Sequence, residues 1–246
     1  MKSRIHIGIG GWTYEPWRGL FYPEDLPQKN ELNYASRHLT SIEINGTYYS
    51  SFKRPTWEKW RAETPEGFVF SVKASRYCTN RKQLAGAGDS IAFFVGQGLS
   101  ALGDRLGPIN WQFMATKKFD ADDMDAFLKL LPREIDGVLL RHALEVRHPS
   151  FENERFYELA ARYNVAIIFA DDDKFPMIEK PTADFTYARL MQTRETVKTG
   201  YTASELDNWA KRARAWTKRG DVFVYFISGA KLRDPAAAQA LIERVG

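Results

Sequence analysis

The chain has 246 residues, 44% of them hydrophobic and 27% charged, with a formal net charge of +4. That composition excludes a disordered or collagen-like chain, and the mild positive charge permits an anionic partner without demanding one. A single cysteine, Cys78, excludes an internal disulfide and a four-cysteine zinc site.

No apolar run reaches the ~18 residues that a membrane span needs, and the start from Met1 to His6 lacks a signal-peptide pattern, so a cytoplasmic protein is expected. The first β-rich run covers residues 5–9 and closes on Gly10-Gly11; the second covers 40–45. Pro55 opens a short helix carrying Trp57 and Trp60. The third run, 68–73, is followed by a long connection, 74–89, whose Gly86 and Gly88 suit a mobile lid. The fourth run, 109–113, is weaker. Asp120, Asp122 and Asp123 then precede Met124, Phe127, Leu128 and Leu131, as acids at a helix start should.

The fifth run is 143–147, and Phe156, Leu159, Ala160 and Tyr163 mark the helix after it. The sixth and seventh runs are 165–170 and 185–190. A helix is predicted over 203–218, with Thr202 and Glu205 spaced as a capping box and Tyr201 and Leu206 as a hydrophobic staple. The eighth run is 222–227. Strand–helix alternation predicts a parallel sheet with helices outside it. Eight strands in a chain close to the ~250 residues typical of the fold predict one (β/α)8 TIM barrel over 1–246, its working face at the C-terminal ends of the strands. The segment Gly8-Ile9-Gly10-Gly11-Trp12 lacks the glycine spacing of a dinucleotide-binding turn.

Alternate residues of a strand point the same way. Glu43 and Asn45 therefore share a face at the end of the second run, as do Glu145 and Arg147 at the end of the fifth. Lys73 ends the third, Gln112 sits late in the fourth, Asp171 follows the sixth and Arg189 ends the seventh. Charges in apolar runs are costly to bury unpaired. An internal ion-pair belt, such as Glu43 with Lys73 or Glu145 with Arg189, would explain any one of them; a functional site better explains all of them at one end. Around that end lie Arg76, Arg81, Lys82, Lys117, Lys118, Lys174, Arg194, Lys198, Lys231 and Arg233, a bias toward anionic ligands, or else ordinary solvated loop charge. Trp12, Tyr14, Trp17, Tyr48 and Tyr49 supply rings for the mouth, which suit a sugar or a base. Of four histidines only His148 falls at the expected end. No cofactor is required; the carboxylates of Glu43, Glu145 and Asp171 leave room for one divalent cation.

Gly11-Trp12, the run from Trp17 to Pro23, Glu43 to Tyr49, Phe70 to Lys73, Leu106 to Pro108 with Gln112, and Glu145 to Phe151 together resemble the YecE-like family, domain of unknown function number 72. The resemblance runs nearly the whole length in order. It implies a (β/α)8 barrel loosely related to those of xylose isomerase and endonuclease IV, and brings no established reaction. Against the family pattern, Thr79-Asn80 stands for a common Thr-His, Arg189-Leu190-Met191-Gln192 for Arg-x-His-Gly, Ile227-Ser228-Gly229 for a motif with paired Asn or Asn-Asp, and Gln112-Phe113-Met114-Ala115 for Gln-Leu-Pro-Pro.

The expected activity is that of a hydrolase or lyase acting on a phosphorylated or otherwise anionic small molecule. Glu43 and Glu145 are the expected acid and base, with His148 as orienter or proton carrier. Lys73, Arg147 and Arg189 are expected to clamp the anion, and Asn45, Tyr48, Gln112, Asp171 and Trp12 to complete the substrate site. The alternatives are a nucleic-acid-binding protein using Arg76, Arg81, Lys117 and Lys118, and a non-catalytic ligand-binding protein.

Overall fold

In the first strand, Ile7 and Ile9 face outward into an apolar layer beneath the helices, while Gly8 and Gly10 face β2 and the barrel axis. A Cβ at Gly8 would lie 1.8 Å from the Ser41 carbonyl oxygen, so only glycine allows the second strand to approach this closely. The same period-two logic recurs around the molecule, a computed structural model that describes residues 4–246.

Its elements are β1 (Ile5–Gly10), α1 (Glu31–His38), β2 (Ser41–Ile44), α2 (Arg54–Glu63), β3 (Val69–Lys73), α3 (Arg76–Thr79), α4 (Gly88–Gly96), β4 (Leu106–Gln112), α5 (Ala121–Leu130), β5 (Glu134–Ile135), β6 (Val138–Leu139), β7 (His142–Glu145), α6 (Glu154–Arg162), β8 (Ala166–Ile167), β9 (Phe169–Asp171), β10 (Thr186–Leu190), α7 (Ala203–Trp216), β11 (Val222–Phe226) and α8 (Asp234–Val245). Nine parallel strands run in the order β8-β7-β4-β3-β2-β1-β11-β10-β9 and nearly close a barrel. β8 and β9 flank Ile168, whose N–H donates to the Leu144 carbonyl at 2.9 Å, so they are two halves of one stave and the ring has the eight expected from the sequence.

β4 begins three residues earlier than the sequence suggests. Phe70 pairs with Leu106 and Val72 with Ile109, so β4 carries one extra residue against β3 at Gly107-Pro108. Pro108 has no N–H to give the ladder, and a bulge accommodates that loss. The antiparallel pair β5–β6 was not expected; Asp136 (φ 49°) and Gly137 (φ 76°) form its two-residue turn with the left-handed backbone such hairpins need. Residues 74–89, the long connection expected after the third strand, carry structure of their own. They contain α3, bury Cys78 and Leu84, and are held by Arg81, which donates to the Tyr77 and Gly86 carbonyls and to Ser90 Oγ. The capping box of α7 forms as its sequence predicts: Thr202 N–H donates to Glu205 Oε2 at 2.7 Å and Glu205 N–H to Thr202 Oγ1 at 3.3 Å.

The axis is filled from below. His6 stacks on Phe223 at 4.9 Å, and burial depresses its imidazole to about 4, so it is a neutral core residue near neutrality. Above this floor the Tyr225 hydroxyl bonds with Ser41 Oγ at 2.7 Å and Ser71 Oγ at 2.6 Å. Among the described residues no helix is long and apolar enough to cross a membrane.

Candidate functional site

Above Tyr225 the inward positions become ionic. Glu43 (β2), Asn110 and Gln112 (β4), Glu145 (β7), Arg147 just beyond it, and Tyr187 and Arg189 (β10) meet on the axis. Arg189 lies between the two carboxylates, donating from Nη2 to Glu43 Oε1 at 3.1 Å and from Nη1 to Glu145 Oε2 at 2.6 Å. Asn110 Nδ2 donates to both, to Glu43 Oε2 at 3.3 Å and Glu145 Oε2 at 3.2 Å. The reversed amide would place its oxygen against two anions, so the carboxylates fix its orientation. Tyr187 donates its hydroxyl to Glu43 Oε2, and Arg147 donates from Nε and Nη2 to Glu145 Oε1 at 3.0 and 2.7 Å and from Nη2 to Gln112 Oε1 at 2.9 Å.

These contacts set the protonation states. Burial alone would raise the Glu145 carboxyl, but Arg189, Arg147 and Lys73 outweigh it and hold it at about 2. Burial likewise opposes the Arg189 charge, but Glu145 and Glu43 more than compensate and raise its pKa. Burial and the Glu43 charge push the Tyr187 phenol well above its ordinary value, so it remains a donor. Two buried atoms of the cluster have no protein partner among the described residues: Asn110 Oδ1 and Arg189 Nε.

Lys73 differs from its neighbours. It is half-buried, its Nζ lies 4.8 Å from the Tyr48 ring centre, and no carboxylate oxygen stands within 4.0 Å of it among the described residues. The expected pair with Glu43 does not form, whereas that of Glu145 with Arg189 does. Burial, helped by the Arg189 charge, lowers the Lys73 ammonium to about 8 against the opposing pull of Glu145 and Glu43. Three cations, Lys73, Arg147 and Arg189, thus face two carboxylates.

The other expected site residues fall outside this network. Asn45 Nδ2 reaches only the Glu43 carbonyl, at 3.4 Å, and lies so close to β1 that a Cβ at Gly10 would come within 2.8 Å of it. Gly11 turns with φ 72°, and the following Trp12 packs edge-on to Trp60 at 5.2 Å and near Phe70 at 6.3 Å. His148 caps the turn Pro149–Phe151, its Nδ1 accepting from Ser150 N–H at 3.1 Å. Asp171 has the outward parity of Phe169 and accepts from Gln192 Nε2 and Tyr201 hydroxyl, both at 3.0 Å. Burial raises its carboxyl. Glu43, Glu145 and Asp171 do not form a common ion site; among the described residues no group of three or more His, Cys, Asp or Glu side chains is arranged to hold a metal.

Asn110 and Tyr187 were not expected in the site. Each stands two residues before a residue that was, Gln112 and Arg189, on the same strand face. Several of the basic loop residues are engaged within the protein. Lys117 bonds to Asp123 Oδ2 at 2.6 Å and to the Lys82 carbonyl at 2.8 Å, Arg81 is tied within its own loop, and Arg194 pairs with Glu205. Burial raises the Cys78 thiol to about 12, where it is inert near neutrality.

Fold and cluster define a parallel (β/α)-barrel protein with a charged strand-end mouth. The chain belongs to the family described as "Protein of unknown function DUF72", which matches residues 6–246. It is 27% identical over 159 residues to the UPF0759 protein YunF of Bacillus subtilis (strain 168), a match covering 63% of this chain and about half, 54%, of that protein. A DUF72 family protein of Thermotoga maritima MSB8 shares the fold with a TM-score of 0.77 and 22% identity, over 97% of both chains. A D-psicose 3-epimerase of Clostridium cellulolyticum H10, solved with D-tagatose, has the same architecture at a TM-score of 0.55 and 12% identity, over 98% of this chain and 95% of that one.

Proposed function

We propose that the protein is an enzyme for an anionic small molecule, a phosphorylated or carboxylated compound, bound at the strand-end mouth by Lys73 and Arg147. One observation carries this reading: the Lys73 ammonium stands at the mouth without a carboxylate in contact, in a cluster where cations outnumber anions. Arg147, held by Glu145 and Gln112, keeps Nη1 without a protein partner among the described residues. A bound anion would complete both groups through charge-assisted hydrogen bonds.

Glu145, held at about 2, carries no proton to give a leaving group near neutrality. Lys73, at about 8, is mainly the ammonium near neutrality, the form that binds an anion. The cations would stabilise negative charge developing on the substrate. Glu43 and Glu145 then act as the fixed counter-ions that hold Arg189 and Arg147 in place, and His148 shapes the loop beyond β7.

The test is phosphorus NMR titration with inorganic phosphate, followed by mass-spectrometric assay of sugar phosphates for turnover. Saturable phosphate binding that weakens at least tenfold in Lys73→Met and Arg147→Met, both still folded, is the expected result. Absence of saturable binding to the folded wild-type protein would remove the reading. The alternative of a nucleic acid lying across the basic loops loses Arg81 and Lys117 to internal bonds and retains Arg76 and Lys118.

A further inference from the structure

Beside the mouth lies a groove of about 610 Å³, lined by Tyr49, Ser75, Tyr77, Asp89, Phe93 and Gln97 among others. Single exposed apolar side chains are ordinary on a protein surface. Here, three of the six most exposed large hydrophobic residues share one groove: Tyr49 (67%), Tyr77 (64%) and Phe93 (68%). Arg76 places its guanidinium 5.9 Å from the Tyr49 ring centre and 5.4 Å from that of Tyr77, and its side chain has no hydrogen-bond or carboxylate partner among the described residues. Gln97 Oε1 accepts from Phe52 N–H at 2.7 Å, which fixes its amide and leaves the Nε2 donors free. Asp89 adds an acceptor without a partner among the described residues.

The groove adjoins the charged mouth through one ring. Tyr48 lies against Lys73 on one side and meets Tyr49 edge-on at 4.9 Å on the other.

We infer that this groove seats the planar base of a mononucleotide whose phosphate sits at Lys73 and Arg147, which names the substrate class of the proposed function and rests on it. Three exposed rings, two of them with the Arg76 guanidinium over one side, offer stacking to any base, and every base has such a face. Gln97, Asp89 and Ser75 offer donors and acceptors to the edge of that base. An aliphatic occupant would cover Asp89 without satisfying it, at the desolvation cost of unpaired charge. A nucleotide brings a phosphate to the cationic mouth and a stacking ring to the aromatic groove in one molecule.

The experiment is calorimetric titration of the whole protein with three probes: adenosine 5′-monophosphate, inorganic phosphate and adenosine. The monophosphate is expected to bind about tenfold or more tightly than phosphate, the gain that one stacked base supplies. Phe93→Ala and Tyr77→Ala, exposed positions whose change spares the core, are expected to erase most of that gain and leave phosphate affinity as it was. Equal affinity for monophosphate and phosphate, unmoved by either variant, would overturn the groove while the anion site stands. Adenosine binding lost in Phe93→Ala, in a protein that ignores phosphate, would overturn the mouth and with it the mononucleotide. A single-stranded oligonucleotide binding orders of magnitude more tightly than the monophosphate would also overturn the mononucleotide as occupant.

Discussion

At the floor of the barrel Tyr225 shares its hydroxyl with Ser41 and Ser71, and His6 lies neutral against Phe223. At the mouth, one turn of the same logic higher, Arg189 satisfies two carboxylates, yet among the described residues Lys73 has no carboxylate in contact and two buried polar atoms have no protein partner. At the floor the polar groups that close the axis, Tyr225, Ser41 and Ser71, bond to one another. The mouth uses them with a remainder, and a remainder is what a ligand can bind.

The largest expected effect comes from removing the ion that holds the mouth together. Arg189→Met strands Glu43 and Glu145 in the interior, and urea unfolding at pH 7 is expected to show a loss of about 3–5 kcal/mol. A loss under about 1 kcal/mol would mean that the carboxylates find other counter-ions and that the mouth is no more specialised than the floor.

Glu145→Gln sharpens the same point through pH. The folded carboxyl titrates at about 2, below its ordinary range near 4.5, so its contribution is present above that range and lost as pH falls from about 4.5 toward 2. The wild-type protein is expected to lose stability across that window in urea melts, and Glu145→Gln to be less stable at pH 7 but flatter toward acid. Parallel pH profiles for the two proteins would contradict the pairing.

The smallest effect is expected at the floor. Tyr225→Phe deletes one hydroxyl shared by two serines and should cost about 1–2 kcal/mol of stability with phosphate binding unchanged. A Tyr225→Phe protein of normal stability that no longer binds phosphate would show that floor and mouth are one coupled unit.

Much of this division was legible in the sequence, for a physical reason. Alternation within short β-rich runs marks both the strand and the side facing the axis, which is how Glu43, Lys73, Gln112, Glu145, Arg147 and Arg189 can be placed at one end without coordinates. The same parity held Asn110 and Tyr187, but an amide and a phenol inside apolar runs read as core until their partners are seen. What parity could not place lies just past the strands. Trp12 follows a left-handed glycine, His148 is taken up in capping a turn, and Asp171 sits beyond the interruption at Ile168, on the side facing Tyr201. The Asp136-Gly137 hairpin carries its turn signal openly, but its two-residue arms are too short to show a period.

The central claim is that the mouth holds uncompensated positive charge available to an anion, and Lys73 gives it a pH signature. Because that ammonium titrates at about 8 when the site is empty, calorimetric titrations at pH 7 and pH 9.5 with sulfate, whose charge is the same at both, read its loss directly. The account predicts saturable binding at pH 7, clearly weaker binding at pH 9.5, and little pH dependence over that range in Lys73→Met. Sulfate affinity that is equal at both pH values in the wild-type protein, or absent at pH 7, would contradict it.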